Sequence, residues 1–530
     1  MGSVCRGLLA MVVCGLAFLQ SVGQASCPAR PVSGSVVQDA LSLTSQNGTL
    51  AAEFIMGHSV DEFGYTHYCY NYKTATGYVE APTLRVNQGD TLELRVVDRI
   101  QADDSTGSRG MKMHSPPAGE ICGDSGQPTL QSTNVHFHGM NVSPNCHQDD
   151  VLTTLIQPGS PGFGFKIPIP KDEPPGLYWY HPHIHGFTEF QVNGGAAGAL
   201  VVEGMNKIHP EVTGLTERVF TIRQQYLVPW IPGPYQLTIN YQVSAFPLPH
   251  PIIQMAPGEK QFWRVLNATI QDFLPLQFQV NGAAAPVELI ALDGYPLAKS
   301  RRETTIVVPP AGRAEFIVEA PAAGGFANLN TLNYSTGPTG NPDLGQVIAE
   351  VQLTSSPAKG QGTTAVGPAP HTALHMEDLK FADLDKVAPT TQRKIYFSEE
   401  FGGTNGPIQF YITVDGQPQR VFEPNEKPAI TTKVGAVEDW TIENRALETH
   451  DFHIHQIHFL MLEVDGQPVT HQDYRDSMEI PFWEGPGHPY HSIKVRMDFR
   501  DPTIAGTFVF HCHILLHEDL GMMHKILVEP

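Results

Sequence analysis

The stretch APTLRVNQGDTLELRVVDR, residues 81–99, shows the local pattern that recurs along the chain. Apolar residues alternate with polar ones, a turn follows at Gly89, and a second alternating run comes after it. This is the signature of a strand, a turn and a second strand. Two further copies follow, PIIQMAPGEKQFWRVLNAT around Gly258 and AITTKVGAVEDWTIENRA around Gly435. One β unit is therefore repeated three times, each copy about a domain length from the last.

The repeat predicts three consecutive all-β domains. Helical periodicity is weak, and the chain of 530 residues is rich in Gly (49) and Pro (44), which favours turns and short strands. We expect each domain to be a Greek-key sandwich or barrel. A segment rich in Ser, Gly, Thr and Pro marks the second boundary. The predicted units are a first domain at 26–205, a second at 206–354, a linker at 355–388 and a third domain at 389–530.

The composition excludes several classes of protein. Hydrophobic residues make up 41% of the chain and charged residues 16%, which is typical of a globular protein and not of a disordered one. The net charge of −21 disfavours nucleic acids and anionic membranes as partners. Beyond the N-terminal segment no run of about 18 apolar residues occurs, so we expect no stable membrane insertion.

The first residues, 1–25, resemble a secretory signal peptide. Arg6 supplies a positive charge, residues 8–19 are apolar, and Gly23 and Ala25 are small residues suited to a cleavage site. We therefore expect a protein that is secreted or periplasmic. A buried N-terminal helix and a lipid anchor on Cys27 are the alternatives.

Five cysteines remain once this segment is removed. An odd number leaves one outside any disulfide, and in an oxidising compartment the other four can form two bridges in three pairings. We favour a bridge between Cys122 and Cys146, because they bracket one strand-and-loop segment. The five are Cys27, Cys69, Cys122, Cys146 and Cys512.

Histidines occur in five His-x-His pairs, although random placement of 24 histidines would give about one. Alternate residues of a strand point to the same face, so each pair can direct two imidazoles at one point. A single pair would equally fit a structural role or a zinc site. The pairs are His136 with His138, His181 with His183, His183 with His185, His453 with His455, and His511 with His513.

The pairs of the first domain match those of the third. A glycine lies five residues before both His181 and His511, so these two occupy equivalent strands, and the pairs that begin at His136 and His453 form a second matched set. The second domain has no such pair. We therefore predict that the first and third domains face each other, each with four histidines in a shared, pseudo-twofold cluster. Eight neutral imidazoles suit two or three borderline ions such as copper.

Cys512 stands between two of these histidines, so its thiolate must face the opposite side of the strand. A thiolate with two imidazoles and a weak thioether forms a blue-copper electron-transfer site. The first domain has Thr133 and Pro182 at the corresponding positions, so we expect only one such site. The residues expected around the thiolate are His450, His517 and Met522.

This arrangement implies a direction for electrons. The thiolate site would accept single electrons near the surface and pass them along the chain to the histidine cluster, on the order of 10 Å away. Four coppers can together store the four electrons that reduce dioxygen to two waters.

These motifs resemble those of the multicopper oxidases, which include laccases. The resemblance covers nearly all of residues 81–530, and the pattern HCHxxxHxxxxM at 511–522 is its most specific part. It implies three cupredoxin domains, an oxygen-dependent oxidoreductase and four copper ions per chain. By position, the implied ligands are His450, Cys512, His517 and axial Met522 for type 1 copper; His136 and His453 for type 2; His138, His181 and His513 for one type 3 copper; and His183, His455 and His511 for the other.

The resemblance also implies two carboxylates that relay protons to the cluster. Glu518 matches one position and Asp149 the other, with Asp150 as the alternative to Asp149; a solvated loop carboxylate is the competing interpretation of each. Asp451 replaces the proline that usually follows the first type 1 histidine, and it could shift the potential or the choice of substrate. His185 has no implied ligand role, so we interpret it as structural or as a hydrogen-bond partner of a ligand.

The electron donor is less constrained. The first hypothesis is a laccase-like oxidase of phenols and aromatic amines, of moderate potential because the axial ligand is Met. The alternative is a metal-ion oxidase for Cu(I) or Fe(II). The one methionine cluster, residues 111–114, is interpreted as a loop and not a copper port. The carboxylates considered for an Fe(II) site are Asp451, Asp473, Asp476 and Glu479.

Two other classes are weighed. A copper nitrite reductase would need only two domains and one catalytic copper, and the complete type 3 set argues against it. A copper carrier, or a relative that has lost its metal, would be expected to lack some of the ligands, whereas all of them are present.

Overall fold

The computed structural model describes residues 26–61, 63–100, 122–225, 235–355, 374–402 and 408–530. The predicted signal peptide and the methionine cluster lie outside these ranges. The regular secondary structure of the described chain is almost entirely β-strand, as the sequence predicts. Its helices are short: α1 (Thr188–Asn193), α2 (Met205–Ile208), α3 (Leu515–Asp519), and 3-10 turns at Pro210–Val212, Met376–Asp378, Leu384–Lys386 and Pro502–Ile504.

The first group of strands forms two five-stranded sheets and a two-stranded ladder. The sheet orders are β1-β5-β12-β11-β8 and β10-β6-β2-β3-β4, and β7 pairs with β9. The strands are β1 (Ser42–Thr44), β2 (Thr49–Val60), β3 (Thr66–Thr74), β4 (Gly77–Glu80), β5 (Thr83–Val86), β6 (Thr91–Asp98), β7 (Cys122–Gly123), β8 (His136–His138), β9 (Thr154–Leu155), β10 (Phe163–Pro168), β11 (Gly176–His181) and β12 (Gly198–Val202).

The second group also forms two sheets. Their orders are β15-β14-β13-β17-β23-β20-β21 and β16-β25-β24-β18-β19, with β22 paired to β18. The strands are β13 (Thr216–Gln225), β14 (Gln236–Ile239), β15 (Gln242–Val243), β16 (Ile252–Met255), β17 (Lys260–Ala268), β18 (Leu274–Val280), β19 (Ala283–Ala284), β20 (Val287–Leu292), β21 (Tyr295–Glu303), β22 (Ile306–Val308), β23 (Arg313–Glu319), β24 (Ala327–Thr331) and β25 (Gln346–Leu353).

The third group repeats the arrangement. Its sheet orders are β27-β26-β29-β35-β31-β32, with β33 paired to β31, and β28-β37-β36-β30-β34. The strands are β26 (Thr391–Phe401), β27 (Ile408–Val414), β28 (Ile430–Lys433), β29 (Ala436–Asn444), β30 (His450–Ile454), β31 (Phe459–Val464), β32 (Gln467–Pro468), β33 (Tyr474–Arg475), β34 (Ser477–Ile480), β35 (His491–Phe499), β36 (Gly506–Cys512) and β37 (Met523–Glu529).

The three copies of the sequence repeat occupy the same place in each group. Each copy supplies two strands that belong to different sheets, so the turn between them crosses from one sheet to the other and is not a hairpin. The first strand of each copy pairs in parallel with the last strand of its group (β12, β25 or β37), and the second pairs in parallel with the first long strand (β2, β13 or β26). Parallel partners need long crossover connections, which gives each group a Greek-key character.

Each group encloses its own apolar core between its two sheets. Trp263 and Trp440, which occupy matching positions in the repeat, are fully buried in the second and third cores. The described part of the predicted linker, 374–388, also packs: Leu379 and Phe381 lie in the third core. This part is therefore not a free linker, because its apolar side chains bury themselves against the third group.

Two disulfides are present. Cys122–Cys146 confirms the favoured pairing, and Cys27–Cys69 is the second bridge. Cys512 is buried and outside any disulfide. Among the described residues, no helix combines the length and apolar character that crossing a bilayer requires.

Candidate metal centre

The histidine motifs lie on neighbouring strands in equivalent places of the first and third groups. In the first group β8 pairs with β11 and sets His136 opposite His181; in the third, β30 pairs with β36 and sets His453 opposite His511. The corresponding pair of the second group is β18 with β24, which carries no histidine. The predicted overlay of the first and third domains therefore matches the strand register.

The two histidine sets meet across a pseudo-twofold axis. His136 stacks on His455 with ring centroids 3.8 Å apart, and His138 stacks on His453 at 3.9 Å. Exchanging the first and third groups converts one of these contacts into the other. The eight histidines therefore form one buried cluster between the two groups, as predicted.

The cluster divides into sets of ligand atoms that could each hold a metal ion. Within each set the atoms lie within 4.8 Å of one another. Two sets correspond to the implied type 3 ligands, and a third contains both implied type 2 ligands together with a type 3 histidine. The three all-histidine sets are His138, His181 and His513; His183, His455 and His511; and His136, His138 and His453, and a fourth set adds Asp149 to His136 and His455.

Strand alternation explains only part of this convergence. His136 and His138 lie within β8, but β11 ends at His181 and β36 ends at Cys512. The second histidine of three pairs thus lies just beyond its strand: His183 after β11, His455 after β30 and His513 after β36. The chain keeps both imidazoles directed at the cluster after regular pairing stops.

The chemistry of these side chains fits copper. Several buried imidazole nitrogens have no hydrogen-bond partner among the described residues, including Nε2 of His136, His181 and His453. Burial lowers the pKa of every cluster histidine, to about 3 for His181 and about 4 for His511. The rings are therefore neutral at physiological pH, which is the form that binds metal.

A second set of possible ligands lies on the other face of β36. Sγ of Cys512 is 3.5 Å from Nδ1 of His450 and 3.9 Å from Nδ1 of His517, and these two nitrogens are 3.3 Å apart. All three residues are buried. The backbone of Met522 hydrogen-bonds to Cys512 and His517, which keeps this residue beside the set. Thiolate and imidazole donors in this geometry suit a type 1 copper.

Comparisons with known proteins agree with this geometry. Two family models, both described as multicopper oxidase, match residues 402–530 and 129–207. The chain belongs to the multicopper oxidase family. It is 24% identical over 478 residues to multicopper oxidase mco of Staphylococcus haemolyticus, covering 86% of this chain and 85% of the relative. Against the laccase of Bacillus subtilis the identity is 23%, over 85% of this chain and 88% of the relative.

Solved structures show the same fold. The multicopper oxidase from Campylobacter jejuni, named a metallo-oxidase, aligns with a TM-score of 0.66 and 22% identity, over 94% of this chain and 96% of that one. This likeness supports the expected cupredoxin fold, while the family models and relatives support an oxidoreductase with copper as cofactor.

Several of the candidate ligands in this multicopper oxidase have a hydrogen-bond acceptor on the ring nitrogen that faces away from the cluster. Nδ1 of His136 lies 3.0 Å from both carboxylate oxygens of Asp149, and Nδ1 of His453 lies 2.7 Å from the carbonyl oxygen of Asp476. Nδ1 of His181 faces the carbonyl of Pro182 at 2.8 Å. Such contacts fix which ring nitrogen is free to bind metal.

The two predicted relay carboxylates both reach the cluster. Asp149 contacts His136, whereas Asp150 accepts hydrogen bonds from backbone amides of its own turn, so the structure favours Asp149 for this place. Glu518 lies 3.5 Å from His183 and from His511. Burial raises the pKa of Asp149 and Glu518 well above the usual range.

Two carboxylates that the sequence interpretation missed contact the type 1 histidines. Oε1 of Glu399 is 3.3 Å from Nε2 of His450, and Oε2 of Glu448 is 3.6 Å from Nε2 of His517. Burial, and then the charge of Glu399, raise the pKa of Glu448 to about 8. Glu448 stands two residues before a ligand and could have been noticed, but Glu399 lies on the distant strand β26 and carries no sequence signal.

The carboxylates considered for an Fe(II) site lie elsewhere. Asp451 is fully buried opposite Glu479, and neither of its oxygens has a hydrogen-bond partner among the described residues. Its side chain follows strand alternation to the face that carries His453, so it does not hydrogen-bond an implied type 1 ligand among the described residues. Asp473 pairs with Arg301 and Asp476 with Arg313.

His185 belongs to none of the ligand sets in the described residues. Its ring packs edge-on against Phe422, with centroids 5.0 Å apart. This contact agrees with the structural role expected of it.

Proposed function

We propose that this multicopper oxidase couples one-electron oxidations at a type 1 copper to the four-electron reduction of dioxygen at a trinuclear cluster. The observation that carries the proposal is the position of Cys512, whose sulfur faces His450 and His517 while its neighbours in sequence, His511 and His513, face the cluster. Bound copper would supply the redox chemistry at both places. The chain would hold the metals a few residues apart and exclude solvent from them.

We assign the ligands as the motifs imply. The structure supports this assignment because the implied type 1 set and both type 3 sets form compact groups of buried donor atoms. Oxygen uptake with copper-loaded protein tests the overall reaction. Four electrons taken from the donor per dioxygen, without free peroxide, would agree with it; release of peroxide as the main product would contradict it.

We further propose that Asp149 and Glu518 deliver protons to the cluster. Each carboxyl is buried against a ligand, and burial raises the pKa of each, which favours its protonated form. Asp149 is fixed by hydrogen bonds from the amide of Phe137 and the side chain of Gln456, and Glu518 accepts one from Thr188. General acids held in this way typically contribute roughly 10²–10⁴-fold to a rate.

For the electron donor we propose a divalent metal ion, with Fe(II) the best match. Glu399 and Glu448 place two carboxylates within reach of each other and of both type 1 histidines. Hard oxygen ligands of this kind suit Fe(II) better than Cu(I). The side chain of Glu448 remains 13% exposed, so an ion can approach from solvent. We therefore place Fe(II) before phenols as the proposed donor, whereas the sequence alone favoured phenols.

Phenols and aromatic amines remain the second candidate donors. Several relatives at similar identity are named laccase, including that of Bacillus subtilis. A one-electron transfer that ends at the type 1 site would tolerate many donors. The same two glutamates could hydrogen-bond a phenol hydroxyl, so the experiment must separate binding of a cation from binding of a neutral donor.

The test compares initial oxygen uptake with Fe(II), Cu(I) and a dimethoxyphenol. We expect Glu399→Gln and Glu448→Gln to raise KM for Fe(II) by roughly tenfold, equivalent to about 1.4 kcal/mol of binding, and to change KM for the phenol far less. Glu400→Gln is the matched control, since Glu400 is the next residue of β26 and contacts Tyr411 instead. Equal losses with both donors would contradict the metal-ion proposal.

We also propose that the protein is exported, to the periplasm or outside the cell. The signal-like N-terminus and the two disulfides support this, since such bridges persist in oxidising compartments. The N-terminal sequence of protein isolated from its native host tests it. A mature chain that begins near Ser26 is expected, and an intact residue 1 on fractionated cytosolic protein would contradict it.

A further inference from the structure

The middle group of strands holds no copper ligand in the described residues, yet it places one charged side chain beside the cluster. Arg313, the first residue of β23, forms a two-pronged ion pair with Asp476 of the third group: Nη1 lies 2.7 Å from Oδ1, and Nη2 lies 2.5 Å from Oδ2. Both side chains are completely buried. A buried pair of this kind needs good geometry to offset the cost of removing two charges from water.

The geometry meets that requirement. A guanidinium has five N–H donors, and all five are used here. Besides the two bonds to Asp476, Arg313 donates to the carbonyls of Leu177, Ala311 and Asp293. Leu177 belongs to the first group of strands and Asp476 to the third, so this one side chain joins all three groups.

Asp476 in turn contacts two cluster histidines. Its Oδ1 lies 3.3 Å from Nε2 of His138, and its backbone carbonyl oxygen lies 2.7 Å from Nδ1 of His453. The opposite nitrogens, Nδ1 of His138 and Nε2 of His453, have no hydrogen-bond partner among the described residues. One residue therefore orients two ligands that we assign to two different coppers, a type 3 and the type 2.

Gly139, directly after His138, leaves the space that this contact requires. A Cβ at this position would lie 2.5 Å from Nη2 of Arg313 and 2.5 Å from Oδ2 of Asp476. The backbone also has a φ of +83° here, a conformation that glycine adopts without strain. The first group is thus shaped to admit the arginine of the second behind a ligand of the cluster.

We propose that Arg313 is a positioning residue for the trinuclear cluster: by clamping Asp476, it fixes the rings of His138 and His453 in the orientation that binds copper. The middle group is then more than a spacer between the other two. The inference rests on the proposed ligand assignment, so its test measures copper binding and spectra in addition to oxygen turnover.

The principal variant is Arg313→Lys, which keeps the charge but cannot reproduce five fixed donors. We expect it to keep the blue type 1 absorption, while the cluster loses copper at a chelator concentration roughly 10–100-fold lower, the usual effect of removing a partner of a metal ligand. The electron paramagnetic resonance spectrum of the type 2 copper should change as well. An unchanged type 2 spectrum with unchanged copper retention would overturn the proposal.

The matched control is Arg264→Lys. Arg264 is also fully buried in the second group and pairs with Glu217 and Glu315, yet these contacts do not involve a cluster histidine. We expect it to cost stability and to leave copper retention and the type 2 spectrum as they were. If it changed them as Arg313→Lys does, the effect would be general loosening of the middle group, and the proposal would fail.

Should Arg313→Lys not fold, the charge-neutral double variant Arg313→Met with Asp476→Asn replaces it. Exchanging both members of a buried ion pair for neutral residues of similar volume is often tolerated. The amide can still accept from His138 but is no longer clamped, so we expect a folded, blue protein with weakened cluster copper. A double variant with normal copper retention and a normal type 2 spectrum would overturn the proposal. Loss of the blue colour from all variants would instead contradict the proposed function itself.

Discussion

The first and third domains place equivalent strands on opposite sides of the cluster, but only the third also has the residues for a type 1 site. Where the third domain has His450 and Cys512, the first has Thr133 and Pro182. Thr133 donates a hydrogen bond to Gln191, a neutral contact that fills the space. The remaining two type 1 positions, His517 and Met522, correspond by their distance from the strand to Phe187 and Val192.

This difference shows which part of the chemistry needs both domains. The cluster lies on the pseudo-twofold axis, so each domain must supply four histidines to complete it. The thiolate site lies to one side, within a single domain, and under the proposed function one copy would be enough to pass electrons inward. The face of each strand that points to the axis is therefore alike in both domains, while the opposite face differs.

The largest effect is expected from making the third domain resemble the first at its thiolate. Cys512→Ser replaces a soft sulfur ligand with a hydroxyl that binds copper poorly. We expect the blue absorption to vanish, donor oxidation to fall to background, and one copper per chain to be lost while the cluster metals remain. Visible spectra and metal analysis check this result.

The double variant Cys27→Ser with Cys69→Ser is the control, because it removes two other sulfur atoms from a disulfide remote in sequence from the motif. It should stay blue. Retention of blue colour by Cys512→Ser would show that the thiolate site has been placed wrongly.

The next effect concerns the carboxyl groups on the two sides of the axis. Asp149→Asn and Glu518→Gln each keep the shape of the side chain but cannot release a proton. We expect each to slow oxygen reduction by roughly 10²–10⁴-fold at saturating donor, while anaerobic reduction of the type 1 site by the same donor is unchanged. Stopped-flow measurement of the two half-reactions separates these steps.

Asp150→Asn supplies the comparison, since Asp150 lies next to Asp149 in sequence but binds its own turn. It should leave both half-reactions intact. Full oxygen turnover in Glu518→Gln would eliminate the relay role of that residue.

Copper removal should distinguish the outer domains from the middle one. Because the cluster joins the first and third domains, a ligand that binds only the folded form stabilises them, by about 4 kcal/mol at a thousandfold excess over its Kd. We expect chelation to lower the melting temperature of the outer pair and to change that of the middle domain much less. In calorimetry, we expect chelation to separate the unfolding transition of the outer pair from that of the middle domain. A single transition that shifts as a whole would contradict this prediction.

The smallest effect is expected from the reverse exchange. Thr133→His with Pro182→Cys supplies two of the ligands that the first domain lacks, but Phe187 and Val192 still occupy the other two positions. We expect no additional blue absorption and no additional copper per chain. A doubled blue signal would mean that two of the four ligands suffice for a type 1 site, and that Phe187 and Val192 do not prevent one in the first domain.

Local and repeated patterns made much of this molecule predictable. The His-x-His spacing and strand alternation indicated a shared histidine cluster with the Cys512 sulfur on the opposite face, while the division into ligand sets came from the resemblance to the family. The bridge Cys122–Cys146 was also within reach, because its loop is short. Contacts between distant strands were not predictable: Glu399 and Arg313 meet their partners only through the tertiary fold.

Two sequence interpretations gain physical detail from the structure. Asp451 adjoins a type 1 ligand in sequence, and strand alternation sets its side chain on the face opposite to that of His450, although its charge is among the causes that raise the pKa of Cys512. The stretch 374–388 looked polar enough for a linker, yet Leu384 and its apolar neighbours fill the third core. In both cases the deciding information is the direction of the side chain.

Metal analysis of the purified, copper-loaded protein, together with its visible spectrum, tests the central claim most directly. One thiolate set and a histidine cluster that, by the family resemblance, holds three coppers predict four copper ions per chain, with a single blue absorption. An active protein that is colourless, or that binds clearly fewer than four, would contradict the account.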